Sequence, residues 1–171
     1  MERNPVNNGG RLSARLLGGL ALIAAAHLGA SGAAAAAGVF AGFSGGWSGD
    51  GTVHFNNGAT ERIRCRSRGS TSNSDNALQL TLQCASASYQ FEVDGRISSS
   101  GGRLSGTWTE KQYDVTGSVS GTATGGRFRA VVSAPSLGAS VNMDLSGSGL
   151  AVTIRPMEAR VSEVSMQLQR N

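Results

Sequence analysis

The chain has 171 residues, room for one domain with its own core if most of it folds. Aromatics are 5% and glycine supplies 25 residues, thin material for a large apolar core, yet the strand patterning past Gly38 excludes a disordered chain. Net charge is +4; setting aside Glu2, Arg3, Arg11 and Arg15 leaves 12 basic against 10 acidic side chains, so bulk charge makes no case for nucleic acid.

Residues 1–37 read as a signal peptide. Arg3, Arg11 and Arg15 form a positive start, Leu16 to Leu28 is an apolar run of 13 residues, and small residues with several A-x-A sites follow. A membrane span needs about 20 apolar residues, so the run predicts a cleaved signal helix rather than an uncleaved anchor. Removal is expected after Ala37, with Ala33 to Ala36 as equivalent sites. No Cys precedes Cys65, which argues against a lipid anchor, and no adjacent Arg pair precedes the apolar run, which argues against the twin-arginine route. The expected product is an exported domain, 38–171, periplasmic or secreted by a bacterium and not membrane-spanning once cleaved.

In an oxidising compartment the pair Cys65 and Cys84 reads as one disulfide. Its loop of about 20 residues would stabilise the fold by roughly 3 kcal/mol in the chain-entropy model. The rival, half of a metal site, lacks partners. His54 is the only histidine after the signal, so four close nitrogen or sulfur ligands cannot be assembled and no metal is expected.

Past Gly38 the apolar residues alternate with period two, broken by Gly/Ser/Asn clusters. In chain order the in-phase sets are Trp47, Val53 and Phe55; Ile63 and Cys65; Leu78, Leu80, Leu82 and Cys84. A phase change near Ala85 to Ser88 leads to Tyr89, Phe91 and Val93. Then come Leu104 and Trp108; Val115 and Val119; Phe128, Ala130 and Val132; Val141, Met143 and Leu145; Leu150, Val152 and Ile154; and Val164, Met166 and Leu168. One helical turn is conceivable around Glu158. The connections are short and supply Gly or Asn where φ must be positive. Short sequential turns favour nearest-neighbour pairing, hence an all-β, single antiparallel up-and-down barrel of about 8–10 strands. Hairpin-scale echoes agree: Phe43-Ser-Gly-Gly-Trp47 with Leu104-Ser-Gly-Thr-Trp108, and Gly101-Gly-Arg-Leu104 with Gly125-Gly-Arg-Phe128. The few aromatics cannot build the two girdles of an outer-membrane barrel.

Arg62, Arg64, Arg66 and Arg68 occupy every second position of one strand, so they share a face about 6.6 Å apart, with Ile63 and Cys65 opposite. The apolar face must be buried, so the arginines face water. A three-residue turn ending in left-handed Gly58 pairs Thr52 with Arg62, Asp50 with Arg64 and Ser48 with Arg66. Pairing Cys65 with Cys84 sets Arg66 against Gln83 and Arg68 against Thr81. The row thus meets one carboxylate, Asp50; Glu61 has the wrong phase. Three readings stay open: a solvated face whose arginine stems cover apolar neighbours, an anion-binding strip for an anionic glycan or lipid headgroup, and protection of a sheet edge. No aromatics interleave for base stacking, so nucleic acid is not an expected partner.

Catalysis finds little support. His54 and Asp50 share a face four residues apart, about 13 Å along a strand, beyond hydrogen-bonding reach. Glu110 with Asp114 flank a turn, and Glu92 with Asp94 lie on the polar face. No phosphate-binding glycine loop precedes a helix. No enzyme and no cofactor is expected. Strand glycines such as Gly49, Gly51, Gly106, Gly117 and Gly121 share the core phase, either permitting tight curvature or leaving space for a ligand.

Gly45-Gly46-Trp47 resembles the G-x-W that opens calycin barrels such as lipocalins. That resemblance implies that an arginine of the last strand, Arg155 or Arg170, packs on Trp47. Trp47 and Trp108 are the candidate barrel-closing aromatics. In style the exported domain is similar to glycine-rich exported β-barrel proteins of alphaproteobacteria with one disulfide. Ser146-Gly-Ser-Gly-Leu150 partly resembles the inhibitory loop of periplasmic inhibitors of c-type lysozymes. The expected function is a non-enzymatic binding module of the bacterial cell envelope. It would hold a small apolar ligand inside or an anionic partner on the arginine strip. The alternative is a lysozyme-type inhibitor or a structural envelope protein.

Overall fold

The computed structural model describes residues 37–157 and 160–171. The expected signal peptide, save its last residue, and the turn at Glu158 lie outside them. The alternating stretches form ten strands: β1 (Gly45–Phe55), β2 (Thr60–Ser72), β3 (Ala77–Ala85), β4 (Gln90–Ser100), β5 (Arg103–Glu110), β6 (Val115–Thr124), β7 (Arg127–Ala134), β8 (Leu137–Ser146), β9 (Gly149–Pro156) and β10 (Val161–Arg170). Each pairs antiparallel with its chain neighbours, and β1 also pairs with β10, which closes an up-and-down barrel.

Period two dictates what points where. Along β2 the inward Ile63, Cys65, Ser67 and Gly69 are buried, and the outward Arg62, Arg64, Arg66 and Arg68 are exposed. Elsewhere the outer face is hydroxyl-rich, as in Ser105 and Thr107 of β5 and Ser118, Ser120 and Thr122 of β6. Apolar side chains line the inside, the reverse of a membrane barrel's lipid-facing surface and polar lumen.

The register follows from one turn. Gly58 has φ of 83° and donates its N–H to Phe55 O at 3.0 Å, completing a three-residue loop. Thr52 then faces Arg62, Asp50 faces Arg64 and Ser48 faces Arg66. On the other side Cys65 faces Cys84, Arg66 faces Gln83 and Arg68 faces Thr81. A one-residue slip would bury the arginines, so the pattern fixes the pairing strongly. Cys65 and Cys84 are joined by a disulfide, a bond that persists in oxidising compartments. It is buried, with Met166 Sδ 3.2 Å from Cys65 Sγ.

Closure has two further consequences. β2 is paired on both sides, so edge protection falls away as a reason for its arginines. The strand glycines also prove to mark close backbone approach. A Cβ on Gly49 would lie 1.9 Å from Gln167 O, and one on Gly106 would lie 2.2 Å from Arg96 O. Curvature, not ligand space, accounts for them.

One end of the barrel is sealed by the segment before β1. Phe40 is completely buried, with ring centroids 6.2 Å from Phe43 and 6.3 Å from Phe128. Its N–H donates to Asp75 O at 3.0 Å, which ties the segment to the β2–β3 turn.

Candidate ligand cavity and arginine row

The inward faces enclose a cavity of about 340 Å³. Its floor is Phe43, Trp47, Leu150 and Leu168, all buried, at the sealed end. Toward the opposite end the lining residues Phe91, Val93, Val132, Val141 and Ile154 are only half-buried. Water therefore reaches the interior from that side, past Leu137 and Pro156. Apart from Ser67, Glu110 and the indole nitrogens of Trp47 and Trp108, the lining side chains are apolar. Such a space can hold the apolar part of a small molecule and has little to offer a fully polar one.

Trp47 has 1% of its surface exposed. The Arg170 guanidinium carbon sits 4.3 Å from its ring centroid, a cation–π contact. The same guanidinium donates to the carbonyls of Gly42 and Ser44, and Trp47 Nε1 donates to Phe43 O at 3.3 Å. Of the two arginines named by the calycin resemblance, Arg170 is the one on the tryptophan. Arg155 instead pairs with Glu163 at 2.7 Å on the outer face.

Trp108 is not at the floor. It lines the cavity from β5, 6% exposed, with its ring against Gly117 of β6. A Cβ on Gly117 would lie 2.5 Å from Trp108 Nε1, so the glycine makes room for the indole. That Nε1 has no hydrogen-bond acceptor.

Glu110 was missed as a site residue by sequence reasoning. Sequence reasoning placed it with Asp114 beside a turn, where acids are common for local reasons. Instead it is 8% exposed, points inward and lines the cavity, while Asp114 sits in the exposed turn with φ of 52°. Glu110 accepts from the N–H of Glu92 at 3.2 Å and of Tyr113 at 2.7 Å. The signal that could have found it is its phase: Leu104, Gly106, Trp108 and Glu110 alternate on one face.

The arginine row stands in solvent on β2. Arg64 is 3.5 Å from Asp50, with side chains 84% and 57% exposed, so the pair is worth little. Among the described residues no carboxylate lies within 4.0 Å of Arg62, Arg66 or Arg68. Glu61 turns away and accepts from Ser88 N–H at 2.8 Å; hydrogen bonds from Ser86 and then Ser88 lower its pKa. A surface depression runs between Arg64, Arg66, Gln83 and Lys111.

The other carboxylate pair is occupied. Lys111 reaches Glu92 at 2.6 Å and Asp94 at 2.9 Å. Its hydrogen bonds are the main cause that lowers both acids, and they in turn raise the lysine. His54 and Asp50 lie apart on the outer face of β1, as their spacing requires. Among the described residues no group of three His, Cys, Asp or Glu gathers as a metal site would need.

No known protein family matches the sequence, and no curated protein matches it. Among solved structures, the chain is similar to the S-type phycobiliprotein lyase CPES from Guillardia theta. The two are 9% identical over 75% of this chain and 88% of that one, with a TM-score of 0.48. So slight a likeness carries no chemistry from one protein to the other.

Proposed function

We propose that this protein is a non-enzymatic, exported binding module of the bacterial cell envelope that takes a small apolar molecule into its barrel. The observation that carries this is the apolar cavity, sealed at its floor by Phe43 and Trp47 and reached by water from the other end. Export is supported by the composition of residues 1–37 and by the disulfide. The hydroxyl- and arginine-bearing outer face favours a barrel in water over one in lipid.

Burial of each CH₂ contributes about 0.8 kcal/mol, roughly fourfold in affinity. Binding is therefore expected to strengthen about fourfold per methylene along a series of straight-chain alcohols until the cavity is full. N-phenyl-1-naphthylamine serves as a fluorescent probe. It is expected to bind one-to-one, and Val141→Trp, which fills the cavity, should weaken it at least about tenfold. Binding unchanged by that substitution would overturn the proposal.

A second reading is favoured by one observation, the absence of carboxylates near Arg62, Arg66 and Arg68 among the described residues. Uncompensated guanidinium groups suit an anionic glycan or lipid headgroup. Binding to lipopolysaccharide that falls steeply with salt, and is lost in Arg64→Ala/Arg66→Ala, is its expected signature. The lysozyme-inhibitor alternative finds less support. Just past the β8–β9 turn, Leu150 of β9 is 3% exposed and faces the core, so no large side chain projects beyond Ser148.

A further inference from the structure

We propose that the arginine row of β2 binds a linear acidic polysaccharide lengthwise, several charges at once, and not a single small anion. This rests on the row being an anion-binding strip.

The neighbours of the row remove the simpler roles for it. Thr52 and Ser48 stand beside Arg62 and Arg66 on one side, and Gln83 and Thr81 beside Arg66 and Arg68 on the other. The arginine stems therefore have little apolar surface to cover. Among the described residues only Arg64 has a carboxylate in reach, Asp50 at 3.5 Å, and both side chains are more exposed than buried. Glu92 and Asp94 stand two strands away, about 9.6 Å, and Lys111 already holds both. Successive arginines start about 6.6 Å apart, inside the roughly 8 Å over which physiological salt screens charge, so the row repels itself.

The row is a line of cations about 20 Å long, running from the mouth toward the sealed end. One exposed guanidinium–anion pair contributes at most about fivefold in affinity, too little to hold a lone anion. Pairs made in series by one chain multiply, because each contact after the first is intramolecular. Regular spacing thus serves a partner whose charges also recur. Among such partners the wall favours a saccharide. Gln83 beside the row, and Gln167 and Gln169 two strands away on β10, are exposed amides suited to ring hydroxyls. Among the described residues no aromatic side chain points outward from β10, β1, β2 or β3 for a base to stack on. A lipid surface would find no apolar anchor there either. Of the exposed large apolar side chains, Val131 is on β7, five strands round the barrel, and the others are at the mouth.

The test is calorimetric titration of the protein with oligogalacturonates from the dimer to the dodecamer, which carry one carboxylate per sugar. Affinity is expected to rise at least about tenfold along the series and to level off once the chain covers the row. Arg62→Gln, Arg66→Gln and Arg68→Gln, made singly, should each weaken the dodecamer about two- to fivefold. Each should also lower the slope of log affinity on log salt by about one. Asp50→Asn, which removes the competing carboxylate, should tighten binding about twofold. Arg127→Gln, exposed on the opposite wall, should change neither affinity nor slope. Dimer and dodecamer bound alike would overturn the inference and leave the anion strip standing. So would a thymidine dodecanucleotide, or phosphatidylglycerol vesicles, bound as tightly as the dodecamer. No binding of any of these probes, or equal losses in Arg127→Gln and the row variants, would remove the strip itself.

Discussion

The two ends of the barrel are built from different chemistry. At the sealed end the turns are tight and polar: Asn73 to Asp75 all have positive φ, Gly101-Gly102 and Gly125-Gly126 form the next two turns, and Gly147 the last. Above them Phe40, Phe43 and Trp47 pack without exposure to water, and Arg170 ties the end of β10 to the segment before β1. At the open end the loops and the first residue of β8 carry Tyr89, Tyr113, Leu137 and Met157, exposed by 53%, 70%, 40% and 60%. Close packing is thus concentrated at one end, and the other is open, as the proposed ligand entry requires. Evolved proteins commonly separate the two in this way, because a site that must open cannot also be the best-packed part of the core.

Substitution at matched positions tests that contrast. Phe40→Ala removes a fully buried ring and is expected to cost about 3–5 kcal/mol, whereas Tyr113→Ala at the mouth should stay within about 0.5 kcal/mol. Urea denaturation of the two variants gives the comparison, and similar midpoints would mean that the floor is not the stable end. Next in size, Arg170→Met loses the cation–π contact and two carbonyl hydrogen bonds. A loss of about 2 kcal/mol is expected by the same measurement, and Arg170→Lys should recover only part of it, since a lysine cannot span both carbonyls.

The smallest effect belongs to the cluster beside the mouth. Glu92 and Asp94 have lowered pKa values, chiefly through hydrogen bonds from Lys111. Their contribution is present above the unfolded carboxylate range and is lost as pH falls through the folded values. Lys111 is raised, chiefly by Glu92, so its contribution is complete below the unfolded lysine value and lost as pH rises through the folded one. The melting temperature of the wild type minus that of Lys111→Met should therefore be slightly positive near pH 7 and close toward both extremes. A difference that does not vary with pH would mean the lysine acts by packing alone.

Much of this was legible beforehand. The alternation named every strand, and the Asn56-Asn57-Gly58 turn fixed the register of β1 on β2. The cysteines then fixed that of β3, which put the four arginines outward in a row. Phe40 was not legible as a core residue, because nothing local distinguishes a segment that folds back over a barrel end from one that trails off. Glu110 was legible by phase and misread by chemistry: acids are common beside turns for local reasons, and that prior outweighed its alternation with Trp108.

Sequence alone, then, settled what depends on neighbours in the chain: strand, turn, pairing and face. Those follow from a side-chain period of two and from the backbone freedom of Gly and Asn. Which end is sealed, that the interior keeps an apolar space, and that Glu110 turns inward beside it were decided only by the tertiary structure. They depend on residues as far apart as Phe40, Trp47, Phe128 and Arg170 meeting once the sheet has curled shut, and no local pattern encodes how much room is left inside.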